Sequence, residues 1–235
     1  TYLRERGASV AEMAAVAVKN HGNAALNPFA QFRKPRTLEQ VLASPRVVGD
    51  LTVQQCTPRG EGAAAVLLVS GHALKRLGLD ARRCVRVHAS VAGSDREETA
   101  CGDAATELVR SSANAACEQA GIAPTELNLL ELHDAFSIEE LLYTEAIGIC
   151  EPGEGAQYLA RGDSQIGGRC AVNASGGLIG MGHPLGPTGI GQIAEITRQL
   201  RGEATGRQHP NARWAMAHMI GLGSVSIAHV LSTAN

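Results

Sequence analysis

The chain has 235 residues, 44% of them hydrophobic, and a formal net charge of −2. That is enough apolar material for one sizeable core, or for a core with a smaller appended region. The near-neutral balance argues against a nucleic-acid binder or a membrane-surface protein, and no apolar run reaches the roughly 18 residues of a transmembrane helix.

The opening "TYLRERGASVAEMAA" has neither a basic start followed by an apolar stretch nor an initiator Met, so a secretory signal is not expected and a fragment or processed product is. The six cysteines (Cys56, Cys84, Cys101, Cys117, Cys150 and Cys170) form no C-x-x-C pair, and the closest two are sixteen apart. A disulfide framework or an all-cysteine zinc site is therefore not expected; the cysteines read as reduced, the protein as cytoplasmic, and no metal is predicted.

In chain order, residues 1–20 predict a helix, followed by irregular chain with a short helix near 37–43. "AAAVLLVS" (63–70) reads as a buried strand and "GHALKRLG" as a brief helix closed by Gly78. "CVRVHASVA" (84–92) alternates like a strand. Residues 103–121 read as a helix capped by Asp103 and ended by Gly121. "LNLLEL" (127–132) predicts a strand, then 137–148 a helix opened by a capping box of Ser137 and Glu140. After a glycine-rich connection comes an amphipathic helix over 188–202, and "RWAMAHM", "IGLG" and "SVSIAHVLS" predict a terminal hairpin. Alternating strands and helices imply an α/β layered sandwich.

Three histidines are predicted at boundaries between elements and loops: His133 after a strand, His183 inside the glycine loop, and His218 at the end of the penultimate strand. Such boundaries are where α/β proteins assemble sites, and imidazole suits proton transfer near neutral pH. The other five (His21, His72, His88, His209 and His229) read as ordinary. Asn173-Ala-Ser175-Gly-Gly177 lacks the first glycine of a nucleophile elbow, Gly186-x-x-Gly189-x-Gly191 is followed by no G-K-[ST], and the histidines have no metal-ligand spacing.

"HDAFSIEELLYTEAIGIC", "GGLIGMGHPLGPTG" and "HMIGLG", with the upstream "KNHGNAALNPFAQF" and "LTVQQCTPRGEGAAAVLLVS", resemble the thiolase superfamily, and within it the sterol carrier protein X-type branch. The resemblance implies a thiolase-like layered α/β fold, here the C-terminal half (56–235) plus the remainder of the loop domain (1–55), without the half that carries the nucleophilic cysteine. It implies an acyl-CoA C-acyltransferase, cleaving 3-ketoacyl-CoA or condensing acyl-CoAs. No cofactor would be bound, and a coenzyme A thioester would be the substrate. A homodimer in full-length form and a small zinc-ribbon/OB-fold partner are also implied. In the family's roles His183 would activate the nucleophilic cysteine, His133 would help hold the thioester oxygen, and Thr57 would contact the pantetheine arm. Ser175, Gly176, Gly177 and Gly182 would line the thioester end of coenzyme A.

One departure stands out. The branch carries cysteine as the third residue of H-D-C-F, thought to be the acid/base for the α-carbon proton; here it is Ala135, and the late C-x-G cysteine is absent as well. His218 is a candidate substitute. Two other readings stay open: a thiolase-like aldolase or lyase on a steroid side-chain coenzyme A ester, and a non-catalytic partner half-domain.

Overall fold

The computed structural model describes residues 2–94, 104–221 and 225–234. The first helices are α1 (Tyr2–Arg6), α2 (Val10–Ala25) and α3 (Leu38–Leu42), followed by a small ribbon of β1 (Arg46–Val48) and β2 (Leu51–Thr52). Then come α4 (Gly71–Arg76), β3 (Val85–Ser94), α5 (Ala104–Ala120), β4 (Leu129–Glu131), α6 (Ser137–Ile147) and α7 (Gly155–Ala160). The chain finishes with β5 (Ala171–Val172), α8 (Gly177–Met181), α9 (Thr188–Leu200), β6 (Trp214–Gly221) and β7 (Val225–Thr233).

A five-stranded mixed sheet in the order β3-β7-β6-β4-β5 organises the molecule. β4 runs parallel to β5 and β6, whereas β7 is antiparallel to β6 and β3. Alternation along β4 sorts the two faces: Leu130 joins the core under α5 and α6 with Val109, Ala113, Tyr143 and Ile147, and Leu129 joins the core under α9 with Ile196 and Leu200. Helices on both faces of the sheet make the expected α/β layered sandwich.

Several local expectations are corrected. Residues 63–70 form no strand; Leu67 and Leu68 are 85% and 81% exposed, because a buried strand needs partner strands and none of the described ones lies beside this run. The first helical stretch is split at Gly7, whose φ is +70°, and restarts at a capping box made by Ser9 and Glu12. The box expected at Ser137 does not form. The N-cap of α6 is Phe136, without a side-chain cap; Ser137 donates its hydroxyl to Gln55, and Glu140 turns into the interior. Asp103, Cys101 and part of the "IGLG" turn lie outside the described residues, among which the other five cysteines are free. No helix among the described residues is long and apolar enough to cross a membrane.

His218 lies inside β6 rather than at its end. It is fully buried, its Nε2 lies 3.1 Å from Ser226 Oγ, and its ring meets Tyr143 edge-on at 5.7 Å. Burial, aided by the charge of His133, pushes it down to about 3.

α2 is clamped to α8 through glycines. A Cβ on Gly180 would stand 2.6 Å from Ala24 Cβ; one on Gly176, where φ is +105°, would stand 2.5 Å from the same atom and 2.7 Å from Ala24 Cα. Only glycine permits both that conformation and that approach.

Two outcomes follow from this packing. Gly176→Ala combines a disfavoured φ with a backbone clash and should cost roughly 2–5 kcal/mol in urea unfolding. Gly22→Ala, in open space on α2, should instead stabilise by about 0.5–1 kcal/mol. The depressed His218 makes stability acid-sensitive. Its folded value lies below the unfolded one of about 6.5, so the unfolded chain binds the extra proton. Stability should therefore fall as pH drops below about 6.5, by up to about 1.4 kcal/mol per pH unit until the folded ring itself protonates. Unfolding curves of His218→Gln across that range should show a slope smaller by one proton.

Candidate functional site

The polar interior beneath the site begins with Lys19 on α2. Its ammonium pairs with Glu140 Oε1 at 3.1 Å and donates to Asn20 Oδ1 and the Val172 carbonyl, both at 2.6 Å, so its three protons have three acceptors. Asn20 Nδ2 donates to Asp134 Oδ2 at 2.8 Å and Glu140 Oε2 at 2.9 Å, and Asn173 Nδ2 adds a bond to Glu140 at 3.2 Å. Asn173 sits in the left-handed region at φ +55°, where its Oδ1 accepts from Leu132 N–H. Asp134 Oδ1 accepts from Leu178 N–H at 2.6 Å; burial, with the charge of Glu140 second, holds its carboxyl well above the usual carboxylate range. These bonds tie α2, the loop after β4 and the loop after β5 into one unit.

The unit presents two imidazoles. His133 follows β4 and His183 precedes α9; their ring centroids are 5.2 Å apart and the planes are nearly perpendicular at 87°. Thr188 Oγ1 donates to the Pro184 carbonyl at 2.7 Å and lies 2.9 Å from His183 Nδ1. A hydroxyl has one proton to donate, and the carbonyl takes it. Nδ1 of His183 must therefore be the donor to Thr188, which leaves Nε2 as the free lone pair. Burial, then the charge of His133, pushes His183 below its ordinary value, opposed by Glu139. The ring is a neutral base with its tautomer fixed.

His133 is buried, and its Nδ1 lies 3.4 Å from Glu139 Oε2, at an angle that makes no hydrogen bond. Glu139 Oε2 also accepts from Ala135 N–H at 2.8 Å. His218, inside β6, is near enough to feel the charge of His133.

The remaining predicted site residues serve the frame. Thr57 donates its hydroxyl to the Leu178 carbonyl and its N–H to the Ala135 carbonyl, each at 2.8 Å, pinning its segment across both site loops. Ser175 is fully buried; its N–H and hydroxyl reach Glu131 at 3.0 and 2.5 Å. Burial and the charge of Glu195 push Glu131 up to about 8. A Cβ on Gly177 would collide with the Asp134 carboxylate, and one on Gly182 would stand 2.6 Å from Gln31 Oε1. These glycines permit close approach to neighbouring parts of the protein.

Beside the His183 loop opens a cleft of about 550 Å³, bordered by Phe29, Gln31, Gly60, Pro184 and Arg198. The Arg198 guanidinium lies over the Phe29 ring at 4.6 Å. Thr188 and Glu139 escaped the sequence reading, although each had a signal: a hydroxyl five residues beyond His183 at a helix start, and a carboxylate six beyond His133 in a first turn. Lys19 gave none beyond its place on an otherwise apolar helix face.

Residues 91–233 match the family described as "Thiolase C-terminal domain-like". Sterol carrier protein 2 of Oryctolagus cuniculus is 38% identical over 231 residues, covering 96% of this chain and 42% of the relative. The benzoylsuccinyl-CoA thiolase subunit BbsB of Thauera aromatica is 40% identical over 227 residues, covering 94% of this chain and 58% of the relative. The chain thus spans about two to three fifths of the length of these relatives. Among solved structures, an Ltp2-ChsH2(DUF35) aldolase superposes with a TM-score of 0.84 at 23% identity, over 100% of this chain and 61% of that one, a likeness of fold. On the family match, which covers more than half of its residues, the chain belongs to the thiolase C-terminal domain-like family.

Proposed function

We propose that this chain is the C-terminal portion, with the remainder of a loop domain over residues 1–55, of a thiolase-type acyl-CoA C-acyltransferase. The observation that carries the reading is the convergence of His133 and His183, with His183 Nδ1 anchored on Thr188 and Nε2 left as the base. A second half of the protein would bring a cysteine to His183. Nε2 would take the thiol proton, and the thiolate, a far better nucleophile than the thiol, would attack a coenzyme A thioester. The His133 side of the site would face the thioester oxygen, where one well-placed donor is worth about 3 kcal/mol. The cleft beside the His183 loop, lined in part by Gly60 and Pro184, would take the pantetheine arm, and Arg198 supplies a cation at its wall.

The family match, the thiolase subunit among the relatives and the tautomer of His183 support this reading. A homodimer and a small zinc-ribbon/OB-fold partner belong to the same proposal. Ala135 favours a second reading, a thiolase-like aldolase or lyase, because the position lacks the thiol that would move the α-carbon proton. Retro-aldol products from a coenzyme A ester, in place of thiolysis products, would select it.

The test is the full-length protein incubated with an acyl-CoA and weighed intact. An acyl adduct on a cysteine is expected, and its absence would sink the acyltransferase reading. His183→Ala should slow adduct formation on the order of 10²–10⁴-fold. Thr188→Val, which frees the ring without removing it, should cost on the order of 10²-fold. Because His183 is pushed below its ordinary value of about 6.5, the rate should stay level through neutral pH and decline only on the acid side of that value.

A further inference from the structure

Position 139 adds a carboxylate to a site that lacks a thiol at position 135. Glu139 stands on the first turn of α6 and His133 on the loop before it. Their side chains are 18% and 10% exposed, and 3.4 Å separates Oε2 from Nδ1. His133 Nδ1 is sealed from solvent and has no hydrogen-bond partner among the described residues. The same carboxylate oxygen is already fixed by Ala135 N–H, so its place does not depend on the histidine. Hydrogen bonds of acid/base groups are commonly long in unliganded enzymes and tighten with substrate.

We propose that Glu139 is a positioning residue for His133: it accepts the Nδ1 proton, fixes that tautomer, and leaves Nε2 as a lone pair, so that His133 serves as the second acid/base of the site. The proposal rests on the thioester reading above. In the step it assigns, Nε2 takes a proton from the carbon α to the thioester carbonyl. The C–H electron pair passes into the enolate, and the imidazolium that forms is held by the Glu139 carboxylate until the proton is returned to carbon. No other reagent is needed. A neutral His133 in this tautomer cannot also donate from Nε2 to an oxyanion, so the assignment replaces the oxyanion role of the His133 side given above and keeps the rest of that reading.

The groups facing His133 are His183 from the loop before α9, His218 from β6, Glu139 from α6 and its neighbour Asp134. His183 and His218 are both pushed toward their neutral forms, chiefly by burial, and Asp134 is engaged with Asn20 and Leu178. Glu139 is the group placed to take a proton from Nδ1.

Nitrogen-15 NMR of the full chain reads the tautomer directly, with His133 assigned by loss of its signals in His133→Asn. The Nδ1–H form is expected in the unsubstituted chain and should give way to the Nε2–H form in Glu139→Ala. A dominant Nε2–H form at the outset, or an Nδ1–H form that survives Glu139→Ala, overturns the proposal. The tautomer of the unsubstituted chain is read without the Glu139 variant, so a poorly folding Glu139→Ala leaves it decisive. Exchange of the α-carbon proton of an acyl-CoA into D2O by the full-length protein supplies a second readout. It should slow at least tenfold in Glu139→Gln, which keeps an acceptor for Ala135 N–H; equal exchange rates would overturn the assignment. If the thioester reading itself is wrong, exchange is absent in both forms, and the tautomer alone decides what Glu139 does.

Discussion

Everything above the sheet depends on one buried ion pair. Lys19 and Glu140 are both almost fully enclosed, and burying either charge alone costs several kcal/mol. What makes the pair tolerable is complete satisfaction: three acceptors surround the ammonium, and Asn20 and Asn173 fill the second oxygen of the carboxylate. A network satisfied at every member is rigid because each bond fixes the direction of the next. α2 cannot rotate without losing Asn20 from Asp134, and Asp134 cannot shift without releasing the Leu178 N–H that starts α8. The loops bearing His133 and His183 are therefore held by the same few polar atoms, although fifty residues separate them in sequence.

Much of this was legible as pattern and little of it as partnership. Period-two alternation marked β3 and the terminal hairpin, and glycines with positive φ ended α5, α6 and α9 near where they were expected. The three site histidines were visible as polar residues at boundaries, yet His218 belongs inside a strand, since "AMAHM" alternates straight through it. The run 63–70 misled because apolar composition reports a wish to be buried and not the presence of a partner strand. The Ser137/Glu140 spacing satisfied a local rule that a tertiary demand overrode: Glu140 is worth more to Lys19 than to a helix N-terminus. Ion pairs between residues 19 and 140 leave no short-range trace in a single sequence.

The glycine loop shows the same division between signal and cause. The resemblance set its glycines along the thioester end of coenzyme A. The atoms in contact are Ala24 and Asp134, with Gln31 over Gly182. Small residues let α8 sink against α2 until backbone meets backbone, and that depth delivers His183 to the edge of the His133 ring. A larger residue at 176 or 177 would run into Ala24 or the Asp134 carboxylate.

Two imidazoles held this close constrain one another electrically. Unit charges 5.2 Å apart repel by about 3 kcal/mol even at an effective dielectric of 20, enough to make a doubly protonated pair rare. A proton gained by one ring therefore discourages a proton on the other, which is how His133 acts on His183. Thr188 fixes the tautomer of His183 without adding charge, whereas Glu139 stands beside His133, and its charge, felt by His183 as well, is able to offset a single positive one. Such an arrangement suits the transfer of one proton at a time, with the charge relieved locally. It does not suit a pair of permanent cations gripping an anion. The fold's contribution to the chemistry is to keep the two rings near enough to exclude the second proton.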